Sequence, residues 1–100
     1  MNLILNTIMQ EKKRIERMLT IYNGKLAMLP KGSVCERKVG KSTYYYLKFR
    51  DGRKVVSKYI PREDLDQVRK QVEKRRHVEA MICSLQEELT IAQRAMEKHT

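Results

Sequence analysis

Tryptophan is absent from this chain, phenylalanine occurs once, and cysteine occurs only as Cys35 and Cys83. Two cysteines in different predicted elements, with no CxxC or Cys/His spacing, give neither a disulfide framework nor a structural metal site. Two unpaired thiols and no secretory signal point to a reducing cytoplasm. Long apolar runs are missing too: the start, Leu3-Ile4-Leu5, is far short of the roughly 20 residues of a membrane span and runs into Gln10-Glu11-Lys12-Lys13-Arg14. No phosphate-binding glycine loop, HExxH, paired-carboxylate constellation or nucleophile elbow occurs, so neither catalysis nor a cofactor is expected. The run Tyr44-Tyr45-Tyr46 raises the chemistry of a strand-transfer tyrosine. That chemistry needs preorganised Arg and His donors in a deep pocket, which the expected fold does not provide. His77 and His99 are read as solvated. At 100 residues the chain is expected to form a single domain, of a size that buries only about 60 to 70% of its extended-chain surface.

What the chain has in excess is positive charge, 22 Lys and Arg against 12 Asp and Glu. Residues 1–30 hold five positive and two negative groups, residues 31–62 ten and two, and residues 63–100 seven and eight. Nearly the whole excess therefore sits in the middle third, the pattern of a polyanion-binding surface.

That middle third also holds every aromatic residue except Tyr22. Residues 43–60 read as two β-rich runs around Asp51-Gly52, a strong two-residue hairpin signal of type I′. With those two residues as the loop, Arg50 is expected opposite Arg53, Phe49 opposite Lys54, Leu47 opposite Val56, Tyr46 opposite Ser57 and Tyr44 opposite Tyr59. Alternation then sorts two faces. Tyr45, Leu47, Phe49, Val56 and Ile60, with Lys54 and Lys58, share one. Tyr44, Tyr46, Lys48, Arg50, Arg53, Val55, Ser57 and Tyr59 share the other, aromatic and basic, which is expected to look outward. Residues 33–39 supply a third strand, entered through the Gly40-Lys41-Ser42 turn.

Helices flank this meander. Ile4, Ile8, Ile15, Met18 and Tyr22, with Leu5 and Leu19 beside them, give a first helix that Gly24 is expected to close. Residues 25–32 form a connector. Pro61 is expected at the first position of a second helix that meets no Gly or Pro before about Lys98. Its stripe runs Leu65, Val68, Val72 and then Val78, Ile82, Leu85, Leu89, Ala92, Met96. The two runs are out of phase at Lys74-Arg75-Arg76-His77, where a bend or a change of partner is expected. The fold class is thus α+β: residues 1–24 helix, 33–60 a three-stranded antiparallel meander, and 61–98 a long helix packed on the first as an antiparallel coiled-coil hairpin. Apolar length on the second helix beyond the reach of the first is to be buried by the sheet or by a second copy, hence an expected homodimer.

Aromatic rings interleaved with cations on a sheet face hold single-stranded nucleic acid by stacking and phosphate contact. A three-stranded ribbon can also enter the duplex major groove. Tyrosines equally anchor protein interfaces. The leading reading is a nucleic-acid-binding module, DNA ahead of RNA, with contacts from Lys41, Tyr44, Tyr46, Lys48, Arg50, Arg53, Lys54, Lys58 and Tyr59. The alternative is a protein-binding inhibitor or adaptor.

The run Leu29-Pro30-Lys31-Gly32-Ser33, then Tyr44-Tyr45-Tyr46-Leu47, Arg50-Asp51-Gly52-Arg53-Lys54-Val55, Ser57-Lys58-Tyr59-Ile60 and Glu73-Lys74-Arg75, resembles small uncharacterised proteins of Gram-positive bacteria, their phages and mobile elements. More loosely, Gly32-Ser33, the tyrosines and Arg50-Asp51-Gly52-Arg53-Lys54 are similar to the arm-binding domain of tyrosine integrases, although the long flanking helices depart from that pattern. This similarity implies a sheet that binds DNA through Lys48, Arg50, Arg53 and Lys54. The genomic setting it implies also admits a phage inhibitor of a host nuclease, of anti-CRISPR type.

Overall fold

The computed structural model describes residues 2–98. Asn2 opens the first helix, α1 (Leu3–Ala27): its Oδ1 accepts hydrogen bonds from the backbone N–H of Ile4 at 3.0 Å and of Leu5 at 3.2 Å. Such a cap satisfies amides that have no carbonyl partner within the helix. The helix does not stop at Gly24. It runs on through Lys25, Leu26 and Ala27 to a cap at Met28, whose N–H donates to the Lys25 carbonyl at 3.1 Å. A helical glycine costs only about 0.5 to 1 kcal/mol relative to alanine, and the extra turn half-buries Leu26 and sets Lys25 over the Tyr22 ring at 5.4 Å.

Three antiparallel strands follow in the order β1 (Ser33–Val39), β2 (Ser42–Asp51), β3 (Lys54–Ile60). A 3-10 turn, Arg62–Asp64, then leads into α2 (Leu65–Lys98). The chain is thus an α+β fold, a three-stranded meander set between two helices. Pro61, expected at the first helical position, stands outside the helix: it caps the 3-10 turn, extended at ψ 145°, with its carbonyl accepting from Asp64 N–H at 2.9 Å, and α2 begins only at Leu65.

The chain divides into two compact units, Leu29–Arg76 on one hand and Met1–Met28 with His77–Thr100 on the other. The division cuts α2 between Arg76 and His77, inside the stretch where its apolar stripe loses phase, and α2 remains helical through it. The out-of-phase step therefore marks a change of packing partner.

In the helical unit, α1 and the second part of α2 pack as an antiparallel coiled-coil hairpin. Ile15, 2% exposed, is the most buried residue, and Val78, Ile82 and Leu85 are buried with it. The α1 stripe runs Leu5, Ile8, Lys12, Ile15, Leu19, Tyr22, Leu26, in alternating steps of three and four, all buried or half-buried. Ile4, expected in that stripe, is 59% exposed. A lysine holds one stripe position: Lys12 keeps its ammonium within 3.8 Å of the Glu16 carboxylate while its stem lies half-buried. Arg14 donates through Nε to Glu11 at 2.9 Å and comes within 4.0 Å of Glu88 on α2.

In the sheet-bearing unit, the first part of α2 covers one face of the sheet. Ile60, Leu65 and Val72 are buried; Tyr45, Leu47, Phe49, Val56 and Val68 are half-buried. Arg69 lies over the Tyr45 ring at 5.3 Å, and Lys31 and Lys58 over Phe49 at 5.9 and 5.5 Å. The early α2 stripe is therefore covered within the chain. The connector is pinned to α2 by Arg75, which donates to the Leu29 carbonyl at 2.7 Å. Next to it Gly32, at φ +119°, runs so close to β2 that a Cβ would stand 2.3 Å from the Lys48 carbonyl oxygen.

The hairpin register differs from the sequence expectation. Asp51 pairs with Lys54, and the loop is Gly52-Arg53. A type I′ turn on Asp51-Gly52 would need positive φ at both residues, whereas here only Gly52 is positive, at +64°. Positive φ at the first loop position alone is the II′ pattern, which asks nothing unusual of the second residue. Gly40-Lys41 turns in the same way, with Gly40 at +63°. Arg50 consequently faces Val55, so the like-charge pair expected between Arg50 and Arg53 does not form.

Candidate nucleic-acid interface

The face of the sheet turned away from α2 is built row by row from the strand register. Arg37 of β1 lies opposite Tyr44 of β2; Cys35, Tyr46 and Tyr59 form the next row, then Ser33, Lys48 and Ser57, then Arg50 and Val55. Alternation of side chains puts all of these on one face. Among the described residues of the three strands this face carries no Asp or Glu: Glu36 and Asp51 fall on the other side.

Its centre is aromatic. Tyr46 and Tyr59 meet edge to face with ring centroids 5.9 Å apart, and Tyr44 tilts against Tyr59 at 6.4 Å. Tyr44 is 39% and Tyr59 57% exposed, so both keep ring surface open to solvent. Cations surround the cluster. Lys48 and Arg50 follow along β2 at a spacing of about 6.8 Å, from 3.4 Å per residue. Lys48, Arg37 and Ser57 line a hollow with Cys35, Glu36 and Tyr46, and at the corner of the sheet Lys41 and Arg62 line another with Tyr44 and Tyr59.

Five of the nine residues expected to form the contact surface are thereby brought together: Tyr44, Tyr46, Lys48, Arg50 and Tyr59. Lys41 and Arg53 occupy the two turns, at opposite ends of β2. Lys54 and Lys58 are on the helix-covered side, Lys54 opposite Asp51 and Lys58 over Phe49. Sequence reasoning missed Arg37 and Ser33, and it placed Ser57 on this face without counting it among the contacts. The signal for Arg37 was present in the Gly40-Lys41 loop, which sets Val39 against Ser42 and hence Arg37 against Tyr44.

The sheet-bearing unit holds 15 Lys and Arg against 6 Asp and Glu, whereas the helical unit is nearly balanced at 7 against 6. A patch of cations with open rings, bordered at the β1 edge by Glu36, offers phosphate and stacking contacts. Among the described residues no group of three or more His, Cys, Asp or Glu could hold a metal ion, and no helix is long and apolar enough to cross a membrane. Cys35 is half-buried and Cys83 exposed, both as free thiols. His77 is exposed on α2, and His99 lies outside the described residues.

A family model described as Domain of unknown function (DUF6788) matches residues 3–70, which include α1, the sheet and the start of α2. No curated protein and no solved structure matches the chain.

Proposed function

The chain belongs to this DUF6788 family, a membership that supplies no activity, and from the outer face of the sheet we propose that it is a non-enzymatic nucleic-acid-binding module. The observation that carries the reading is the outer face of the sheet, whose strand residues place Arg37, Lys48 and Arg50 with Tyr44, Tyr46 and Tyr59. The cations take phosphates, and the exposed rings of Tyr44 and Tyr59 take bases or sugars. Lys41 and Arg53, in the turns, extend the track along β2. DNA is the first candidate.

Fluorescence anisotropy with a labelled single strand and a labelled duplex tests this at about 50 mM salt, where counterion release favours association. Binding should weaken steeply as salt rises. The absence of binding to either probe at that salt rejects the reading.

A second reading, a protein-binding inhibitor or adaptor, draws support from the helical unit. There Ile4 and Ile91 are 59% and 67% exposed, and Ile91 lines a groove with Ile8, Ala92 and Ala95, flanked by the charged Glu11, Arg14 and Glu88. Binding through such a surface would depend weakly on salt and would not need the tyrosines.

A further inference from the structure

β3 is an edge of the sheet, and its free side has a two-fold pattern. Residues flanking a two-residue loop form a hydrogen-bonded pair, and such pairs alternate along an antiparallel ladder. Asp51 and Lys54 flank the Gly52-Arg53 loop, so Lys54, Val56, Lys58 and Ile60 bond inward to β2. The backbone N–H and C=O groups of Val55, Ser57 and Tyr59 point out from the edge. Val55 and Tyr59, 66% and 57% exposed, stand symmetrically about Ser57 on the outer face. We propose that two copies of the chain pair antiparallel through β3, about a two-fold axis at Ser57, into a six-stranded sheet.

Backbone and charge together select this partner and this register. With Ser57 opposite the partner's Ser57, Val55 meets the partner's Tyr59, and both backbone groups of all three outward residues find partners. Lys54 then faces the partner's Ile60, and Lys58 the partner's Val56, so no like charges oppose. Centring the axis on Val56 would set Lys54 against the partner's Lys58. Centring it on Lys58 would set that lysine against its own copy. Both alternatives also make fewer backbone bonds, and like charges directly across a strand pair are destabilising.

The other edge excludes the same arrangement. Counting from the Gly40-Lys41 loop, the outward residues of β1 are Val34, Glu36 and Lys38, and a two-fold axis there would oppose Glu36 to the partner's Glu36. Among the residues whose backbone points outward, β1 carries Glu36 and Lys38 whereas β3 carries no charge, its Lys54 and Lys58 bonding inward to β2, which is the arrangement expected when only β3 is to be paired. Opposed residues share a face, so pairing at β3 would join the two tyrosine clusters and their cations into one surface. The dimer itself does not rest on the nucleic-acid reading.

Sedimentation equilibrium on the full chain tests it. The mass should rise with concentration from 11.9 kDa to twice that value. Ser57→Asp, which opposes two carboxylates across the axis, should weaken association about tenfold or more. Its circular dichroism should not change, since residue 57 is exposed and its amide faces away from β2. In a Cys35→Ser, Cys83→Ser background, Ser57→Cys should oxidise to a covalent dimer, because Cα atoms across a hydrogen-bonded pair are about 5.5 Å apart, within disulfide range; Glu36→Cys should not. A chain that stays monomeric at millimolar concentration overturns the proposal. So does a dimer that Ser57→Asp leaves intact, or cross-linking through Glu36→Cys instead of Ser57→Cys. Should Ser57→Asp fail to fold, the cross-linking pair decides alone.

Discussion

Tyr46 and Tyr59 stand directly opposite each other on β2 and β3, their rings edge to face at 5.9 Å. Edge-to-face pairs contribute about 0.5 to 1.5 kcal/mol beyond their buried area. A double-mutant cycle with Tyr46→Ala and Tyr59→Ala, followed by urea denaturation, should return a coupling of that size. A coupling near zero would mean that the rings do not hold the hairpin together.

Binding predictions separate the two faces of the sheet. Arg37→Ser, Lys48→Ser and Arg50→Ser should each weaken DNA binding and reduce the salt slope by roughly 0.9 if each releases one counterion equivalent on duplex. Lys54→Ser and Lys58→Ser remove the same charge from the covered side and should change affinity and slope much less. Equal losses from both sets would mean that binding follows net charge and has no dedicated face.

How much of this was legible in the sequence depends on what each inference relied upon. The two faces of the hairpin were assigned as observed even though the loop was placed one residue early. Moving a two-residue loop by one position shifts each partner by two, and a two-residue shift returns every side chain to its own face. The pairing partners had no such protection, so Tyr59 meets Tyr46 and not Tyr44, and Arg50 meets Val55. The end of α1 was missed because the preference of Gly24 for a cap is weaker than the gain from one more turn carrying Leu26. The phase of α1 was missed because Lys12 stands in the stripe where an apolar residue was sought.

The two glycines around the connector should respond oppositely to alanine. Gly24 is an exposed helical residue with nothing within 4 Å of an added Cβ, so Gly24→Ala should stabilise by about 0.5 to 1 kcal/mol. Gly32→Ala drives a Cβ into the Lys48 carbonyl at φ +119° and should destabilise by at least about 1 to 3 kcal/mol. Thermal melts of both variants check the contrast.

The corrected stripe of α1 makes its own prediction. Ile15→Ala should cost about 2 to 5 kcal/mol, the range for buried Ile to Ala, whereas Ile4→Ala, outside the packed seam, should stay within about 0.5 kcal/mol of the parent. Comparable losses at both positions would return Ile4 to the seam.

Arg75 occupies the stripe position where the two runs of α2 fall out of phase, and there it donates to the Leu29 carbonyl at 2.7 Å. Hydrogen bonds to charged groups contribute about 1.5 to 3 kcal/mol, so Arg75→Met should lose about that much, measured by urea unfolding. A neutral result would assign the connector's position to Gly32 alone.

The division of the chain has a kinetic consequence. The sheet-bearing unit is one unbroken segment, Leu29–Arg76, whose hairpins join neighbours in sequence, whereas the helical unit unites two segments that lie on either side of it. Contacts between distant segments wait on loop closure, whose entropic cost grows with the length of flexible chain between them. A meander that has already condensed shortens that flexible length, so folding should begin at the Gly40 and Gly52 turns, and the two helical arms should zip together afterwards.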